Sequence, residues 1–265
     1  MNGSVQSIWR HPVKGFTPEP MRHVALTAGA CFPFDRMYAV EDGPSGFDPA
    51  APRHISKQKF TVLAKIAAVA KIHTRYDDST GVLQAEAEGR PPIRAALDDP
   101  EGRETFAAWL AGFLGEEISG PLKVLPAPGA HRFMDDEEGF ISIVNLASVR
   151  DFEARTGRAV DPRRFRANIY VEGWAPWEEN RSTGRALRLG EVELEVVKPI
   201  PRCVATHVDP ETGDKDIDLV PALWGAYGHR LCGVYGRVLS GGRVSVGDPA
   251  SLDLPDAPAL KTAAG

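Results

Sequence analysis

Two short segments of this chain hold residue types able to grip an anion or ligate a metal. In Phe165-Arg166-Ala167-Asn168-Ile169-Tyr170-Val171 the alternation predicts a strand, with Phe165, Ala167, Ile169 and Val171 on one face and Arg166 with Asn168 on the other. A guanidinium supplies a fixed fork of donors and a neighbouring amide adds a donor and an acceptor, a pairing suited to an anion or the edge of a heterocycle. The same spacing also fits a solvated strand face, where Arg and Asn usually lie. The second segment begins with the alternating run Gly190–Lys198, whose ladder should end at Pro199-Ile200-Pro201, with Arg202-Cys203 following at once. Alternation then resumes, with Cys203, Ala205 and His207 on one side, until the turn residues Asp209–Gly213. Thiolate is the metal-binding form of cysteine, and the adjacent Arg202 favours that charged form. Free cysteine is more commonly a small buried hydrophobe; that reading competes at Cys203 and is kept for Cys31 and Cys232.

Other chemistries lack support. The acidic stretch Asp209–Asp218 fails the calcium-loop pattern, because Gly213 occupies its fifth position and Asp214 its sixth. No G-x-G-x-x-G, P-loop, G-x-S-x-G or H-E-x-x-H occurs, so nucleotide-fold and hydrolase readings lose their usual basis. His11, His23, His54, His73, His131, His207 and His229 do not pair at metal-ligand spacing and read as surface or packing residues. The three cysteines are far apart, odd in number and without a C-x-x-C, which excludes a zinc ribbon or a self-contained iron–sulfur site and fits a reducing compartment. Electrons for any redox reaction must therefore come from outside.

The elements that would position these residues are mostly strands. Short alternating segments run from Ser4 to about Pro92, including Val24–Leu26, Arg36–Val40 and the hairpin signal Tyr76–Leu83. Over Glu104–Leu114, Phe106, Trp109, Leu110, Phe113 and Leu114 recur at helical spacing before Gly115. Pro121–Gly139 reads as a loop between domains, its acidic run Asp135–Glu138 as solvated surface. Asn145 can cap a helix through Val149 and Phe152 to Gly157, and a further short helix is expected near Pro221–Tyr227. At 265 residues, 43% hydrophobic and 25% charged, the chain has the composition of a folded protein. We expect two domains, 1–120 and 121–265, in a mostly β (α+β) architecture. The net charge of −5 disfavours nonspecific binding to nucleic acid or an anionic membrane. The sequence shows neither a signal-peptide pattern nor an apolar run of membrane-crossing length, so a cytoplasmic location is expected.

Taken in order, these segments resemble one family. Ile8-Trp9-Arg10-His11-Pro12-Val13-Lys14-Gly15 followed by Gly29 and Asp35-Arg36 is similar to the N-terminal MOSC-associated β-barrel domain. Arg164–Ile169, Pro201-Arg202-Cys203, Val208–Gly213, Gly233-Val234-Tyr235 and Val246–Pro249 resemble the MOSC domain of molybdenum cofactor proteins. The resemblance covers most of the chain and extends to the mitochondrial amidoxime-reducing component and its bacterial counterparts. It implies an N-terminal β-barrel-like domain followed by a MOSC β-barrel. It also implies a molybdenum cofactor (molybdopterin) whose metal is ligated by Cys203 as the catalytic centre. Lys14, Arg36, Arg166, Asn168 and Arg202 match positions that hold the pterin and its phosphate. Tyr235 matches a position near the cofactor, and Lys57 one where relatives often carry a basic residue; pyridoxal phosphate is not expected. Two departures stand out: Gly15 replaces the usual Ser after the Lys, and His207 lies where many relatives have a second Thr. The expected membrane anchor of the mitochondrial proteins and the ferredoxin-like C-terminal domain of some bacterial members are not found in this sequence.

What this implies is an oxidoreductase that reduces small N-hydroxylated or N-oxygenated compounds, with electrons from an external ferredoxin, flavoprotein or cytochrome-type protein. The competing reading is a carrier module that delivers cofactor or a persulfide from Cys203 without turnover of its own. An empty structural barrel is a third reading.

Overall fold

The computed structural model describes residues 1–253. Residues 254–265, the end of the expected second domain, lie outside the described residues. Among the described residues three α-helices, α1 (Pro100–Leu114), α2 (Leu146–Thr156) and α3 (Leu219–Tyr227), accompany a predominantly β structure. Seven strands close a barrel and are numbered here in chain order: β1 (Asn2–Arg10), β2 (Ile141–Asn145), β3 (Ile169–Glu172), β4 (Ala186–Leu189), β5 (Val192–Pro201), β6 (Leu231–Ser240) and β7 (Pro249–Leu252). Around the barrel they run β3-β2-β6-β5-β4-β7-β1, and β1 pairs back to β3. Every neighbouring pair is antiparallel except β2 with β3. A parallel pair needs a long crossover, usually a helix, and α2 supplies it.

Inward-facing Val5, Ile8, Ile143, Ile169, Leu187, Leu194 and Val234 fill the barrel. The opposite face of β2, β3 and β6 carries Val144, Tyr170 and Cys232, covered by Val149 and Phe152 of α2 and Leu223 of α3. Asn145 caps α2 by accepting from the Ala147 amide, and left-handed Gly157 ends it, as the sequence predicts.

A second core, built on Phe16, Tyr38, Phe106, Trp109 and Leu110, belongs to the first half of the chain. There the meander His73–Asp77, Val82–Glu86 and Ile93–Ala96 packs with α1. Helix α1 begins at Pro100, four residues before the expected Glu104, because Asp99 caps it and Pro is favoured at the first helical position. The aromatic spacing marked where the helix is buried, not where it starts. Strand pairing crosses residue 120: β1 joins β3 and β7, and His23–Leu26 joins Gly242–Ser245.

Three expectations about local structure are corrected. Leu122–Pro126, inside the expected loop, is a strand paired with Tyr38–Asp42. β5, by contrast, ends at Pro201, within the expected Pro199–Pro201 stretch, its pairing with β6 shifting register between Pro199 and Pro201. Phe165–Asn168 is not strand, since a 3₁₀ turn over Pro162–Phe165 ends at Arg166 in the left-handed region and β3 starts only at Ile169. Val204–His207 is likewise a 3₁₀ turn rather than an alternating strand.

Gly15, where relatives usually carry Ser, has φ +90, and a Cβ there would lie 2.6 Å from the Thr61 carbonyl oxygen. Backbone, not a movable side chain, fills that space. Gly15→Ser should therefore destabilise the protein by roughly 1–3 kcal/mol or more through backbone strain, read as a fall in the denaturation midpoint; an unchanged midpoint would show that residues 61–62 can retreat.

Candidate functional site

A cavity of about 450 Å³ opens where the segment after β1 meets the start of β3, the end of β5 and the face of β6. Lys14, Arg36, Lys57, Arg166, Asn168, Arg202, Cys203 and Tyr235 all line it. Residues widely separated in sequence are thus brought together, but they do not all play the part expected of them.

Arg36 and Arg166 form a cationic wall of the cavity. Both hold positive φ, 47° and 52°, without being glycine, a strained conformation that clusters at functional sites. An Arg36 Nη2 donates to the Arg166 carbonyl at 3.1 Å, and Arg36 Nη1 is paired with the buried Asp35. Arg166 has no such carboxylate: its Nη2 is closed off from solvent and has no partner. Burial first, and the neighbouring Arg36 charge second, lower its pKa to about 10. Charge-assisted bonds are the stronger class, so an anion reaching Nη2 would meet a donor that nothing else satisfies.

Lys14 is buried, donating to the Phe133 carbonyl at 2.9 Å and to Asp135 Oδ1 at 2.6 Å. Burial pulls its pKa below the ordinary lysine value, aided by Arg36 and Lys57 and opposed by Asp135. Lys57, on a 3₁₀ turn capped by Ser56, donates to Cys203 Sγ at 3.2 Å and lies 3.6 Å from Asp135 Oδ2. Burial would lower its pKa, but Asp135 and Cys203 outweigh that and hold it raised. Asp135 is the hub. Although burial opposes its ionisation, Lys14, Lys57 and Arg36 hold its carboxyl well below the usual carboxylate range. Half of its side chain is reached by solvent, but this is the solvent of a cleft walled by protein.

Arg202 and Asn168 brace the site. Arg202 spends Nε on the Cys232 carbonyl and Nη1 on the Phe165 carbonyl, both at 2.8 Å, so the cation that reaches the Cys203 sulfur is Lys57 rather than Arg202. Asn168 Oδ1 accepts from the Ser142 amide at 3.1 Å and hydroxyl at 2.8 Å, and Nδ2 donates to the Trp9 carbonyl at 3.4 Å. Its amide ties β1, β2 and β3 together instead of facing Arg166 across a free strand surface.

Cys203 leaves the end of β5 with its side chain half-buried in the cavity, while its carbonyl accepts from Thr206 Oγ1 at 2.8 Å. Opposite lie Tyr235 and Phe140, rings 6.2 Å apart, with Lys198 Nζ over both and 2.5 Å from Asp136. Sequence reasoning missed Asp135, Asp136, Lys198 and Phe140, which line the cavity; His11, read as a surface or packing residue, is fully buried three residues before Lys14. The acidic run looked like solvated surface, and nothing local distinguishes Asp135 from Glu137. Only the presence of His11 beside Lys14 in the same short segment offered a signal. Among the described residues no group of three or more His, Cys, Asp or Glu could hold a metal ion, and no helix is long and apolar enough to cross a membrane.

The family model for the MOSC N-terminal beta barrel domain matches residues 2–117, and that for the MOSC domain matches residues 129–251. The mitochondrial amidoxime reducing component 2 of Bos taurus is 34% identical over 123 residues, 41% of this chain and 35% of that protein. A molybdenum cofactor sulfurase of Drosophila mojavensis is 32% identical over 138 residues, 49% of this chain and 17% of that protein. The matched stretch thus spans 35% or less of the length of these two curated relatives. Among solved structures, the YuaD protein from Bacillus subtilis aligns over 94% of both chains at 13% identity, with a TM-score of 0.44. With the two family models matched in succession, this chain carries a MOSC N-terminal beta barrel domain followed by a MOSC domain.

Proposed function

We propose that the cavity holds a molybdenum cofactor, with Cys203 as the protein's ligand to the metal, and that the protein reduces small N-oxygenated compounds. The observation that carries this reading is one cavity joining a half-buried thiol to an unpartnered, buried guanidinium nitrogen on Arg166. The donor set fits the group. One thiol cannot hold a bare ion, but it suffices for a soft metal that arrives with sulfur ligands of its own, and a phosphate on the same molecule calls for the Arg36 and Arg166 guanidiniums. A cavity of about 450 Å³ falls within the usual range of small-ligand sites, roughly 300–1,000 Å³.

When bound, the cofactor supplies the two-electron chemistry that removes oxygen from nitrogen. The chain's own residues bind and orient. Arg166 and Arg36 hold the anionic end, Lys57 keeps the Cys203 sulfur turned into the cavity, and Asp135 balances Lys14 and Lys57 so that the lysines stay ordered. Phe140 and Tyr235 offer ring faces that exclude water from one wall. Electrons come from an external electron-transfer protein. The similarity to a molybdenum cofactor sulfurase favours a second reading, in which the same cysteine carries cofactor or a persulfide to another protein. Oxygen-transfer turnover with a reduced artificial donor separates the two.

Cys203→Ser should abolish molybdenum-dependent reduction of a hydroxylamine while the protein stays folded, whereas Cys31→Ser and Cys232→Ala should retain it, the latter at lower stability. Wild-type turnover of Cys203→Ser at equal metal content would remove the ligand assignment. Arg166→Met should weaken cofactor retention after dialysis by about one to two factors of ten, the worth of a charge-assisted contact. Without cofactor its melting temperature should match or exceed wild type, because a crowded guanidinium has been removed. Full retention would mean that Arg166 does not hold the anion.

A further inference from the structure

His11 is 0% exposed, yet neither ring nitrogen has a hydrogen-bond partner. Nδ1 lies 3.4 Å from Asp35 Oδ1, without hydrogen-bond geometry. An imidazole always carries at least one N–H, and folded proteins rarely keep a buried donor unmatched. A hydrocarbon side chain would fill the space at lower cost. The main-chain contacts of residue 11 do not require the ring either: its amide donates to Asp35 Oδ1 at 2.6 Å, and its carbonyl accepts from the Arg36 amide at 2.6 Å.

Charge is what the side chain controls. Burial, followed by the fields of Arg36 and Arg166, depresses the His11 pKa to about 3 against the opposing pull of the nearby Asp35, so the ring is neutral. Asp35, fully buried beside it, is taken up by Arg36. Asp135 also acts on Arg166, but it is held by Lys14 and Lys57. The group His11, Asp35, Arg36 and Arg166 therefore keeps one positive charge in excess, and the free donor is on Arg166. A carboxylate at position 11 would cancel that charge; a cation there would repel both arginines.

We propose that His11 is a positioning residue for the anion site: a buried, uncharged wedge that lets Asp35 neutralise Arg36 alone and leaves the Arg166 guanidinium to a phosphate-type anion in the cavity. This rests on the anion-holding reading of the cavity, though not on any reductase activity. The probe is inorganic pyrophosphate, added to the cofactor-free 265-residue chain and followed by calorimetric titration and thermal shift. Wild type should be stabilised in a concentration-dependent way. His11→Gln, polar and uncharged, should bind within about threefold of wild type, whereas His11→Glu should melt at or above wild type without anion and bind at least about tenfold more weakly. A merely structural role would not move stability and binding in opposite directions. Equal binding by wild type and His11→Glu would overturn the proposal. So would a tenfold loss in a folded His11→Gln, the arm that decides if the glutamate variant does not fold. No response of wild type to pyrophosphate would remove the anion site itself, and this proposal with it.

Discussion

Everything at this site depends on the seam between β1 and β3. Ile8 pairs with Ile169, and the Trp9 amide donates to the Asn168 carbonyl at 2.7 Å, across a separation of 159 residues. The seam closes the barrel and so removes its open strand edges. It also sets where both chains go next. Beyond Arg10 the first chain turns into His11 and Lys14, while Arg166 stands just ahead of Ile169 on the other. The cavity is therefore shared by the two family-matched regions, and the Asn168 amide, bonded to both Trp9 and Ser142, works as a seam fastener.

Closing the seam gathers cations in a chain whose net charge is −5. Two like charges about 4 Å apart repel by roughly 4 kcal/mol at an effective dielectric of 20, typical near a protein surface, so such a wall needs counter-charges. Asp35 answers Arg36, and Asp135 answers Lys14 and Lys57. In each carboxylate the neighbouring cations overcome burial and depress the pKa. Their stabilising contribution is thus complete above the ordinary carboxylate pKa and is lost only as pH falls through the depressed values. Arg166 is left over: burial and the Arg36 charge lower its pKa, and its Nη2 has no hydrogen-bond partner.

Much of this was legible because the chemistry-bearing residues sit in short, ordered segments. Lys14, Arg36, Lys57, Arg166, Cys203 and Tyr235 were named from residue type and resemblance, and all reach one cavity. Their local geometry was less legible. The alternation around Arg166 promised a strand, yet Asp161-Pro162 starts a 3₁₀ turn that Arg166 ends in a left-handed conformation, a choice made by tertiary contacts rather than by side-chain period. Asp135 was unreadable for a related reason: its value comes from Lys14 and Lys57, distant in sequence, and an isolated acidic run carries no trace of them. Arg202 and Asn168 were recognised as site residues, but the backbone carbonyls and hydroxyl that occupy their donors and acceptors only exist once the barrel is closed.

The contrast between Cys203 and Cys232 shows how register, rather than residue type, separates chemistry from packing. Cys232 lies on β6 beneath α2 and α3, where burial pushes its thiol up to about 12; its carbonyl, by accepting from Arg202, anchors the residue that precedes Cys203. Cys203 follows β5 just past a register shift between Pro199 and Pro201, opposite Val234 and Leu231. That shift places its extra residue on β6, three steps from Leu231 to Val234 against two on β5; because side chains alternate faces with a period of two, it sets Cys232 and Val234, two positions apart, into different cores. Cys203, two residues past the end of β5, lines the cavity instead, where Lys57 Nζ donates to its sulfur at 3.2 Å.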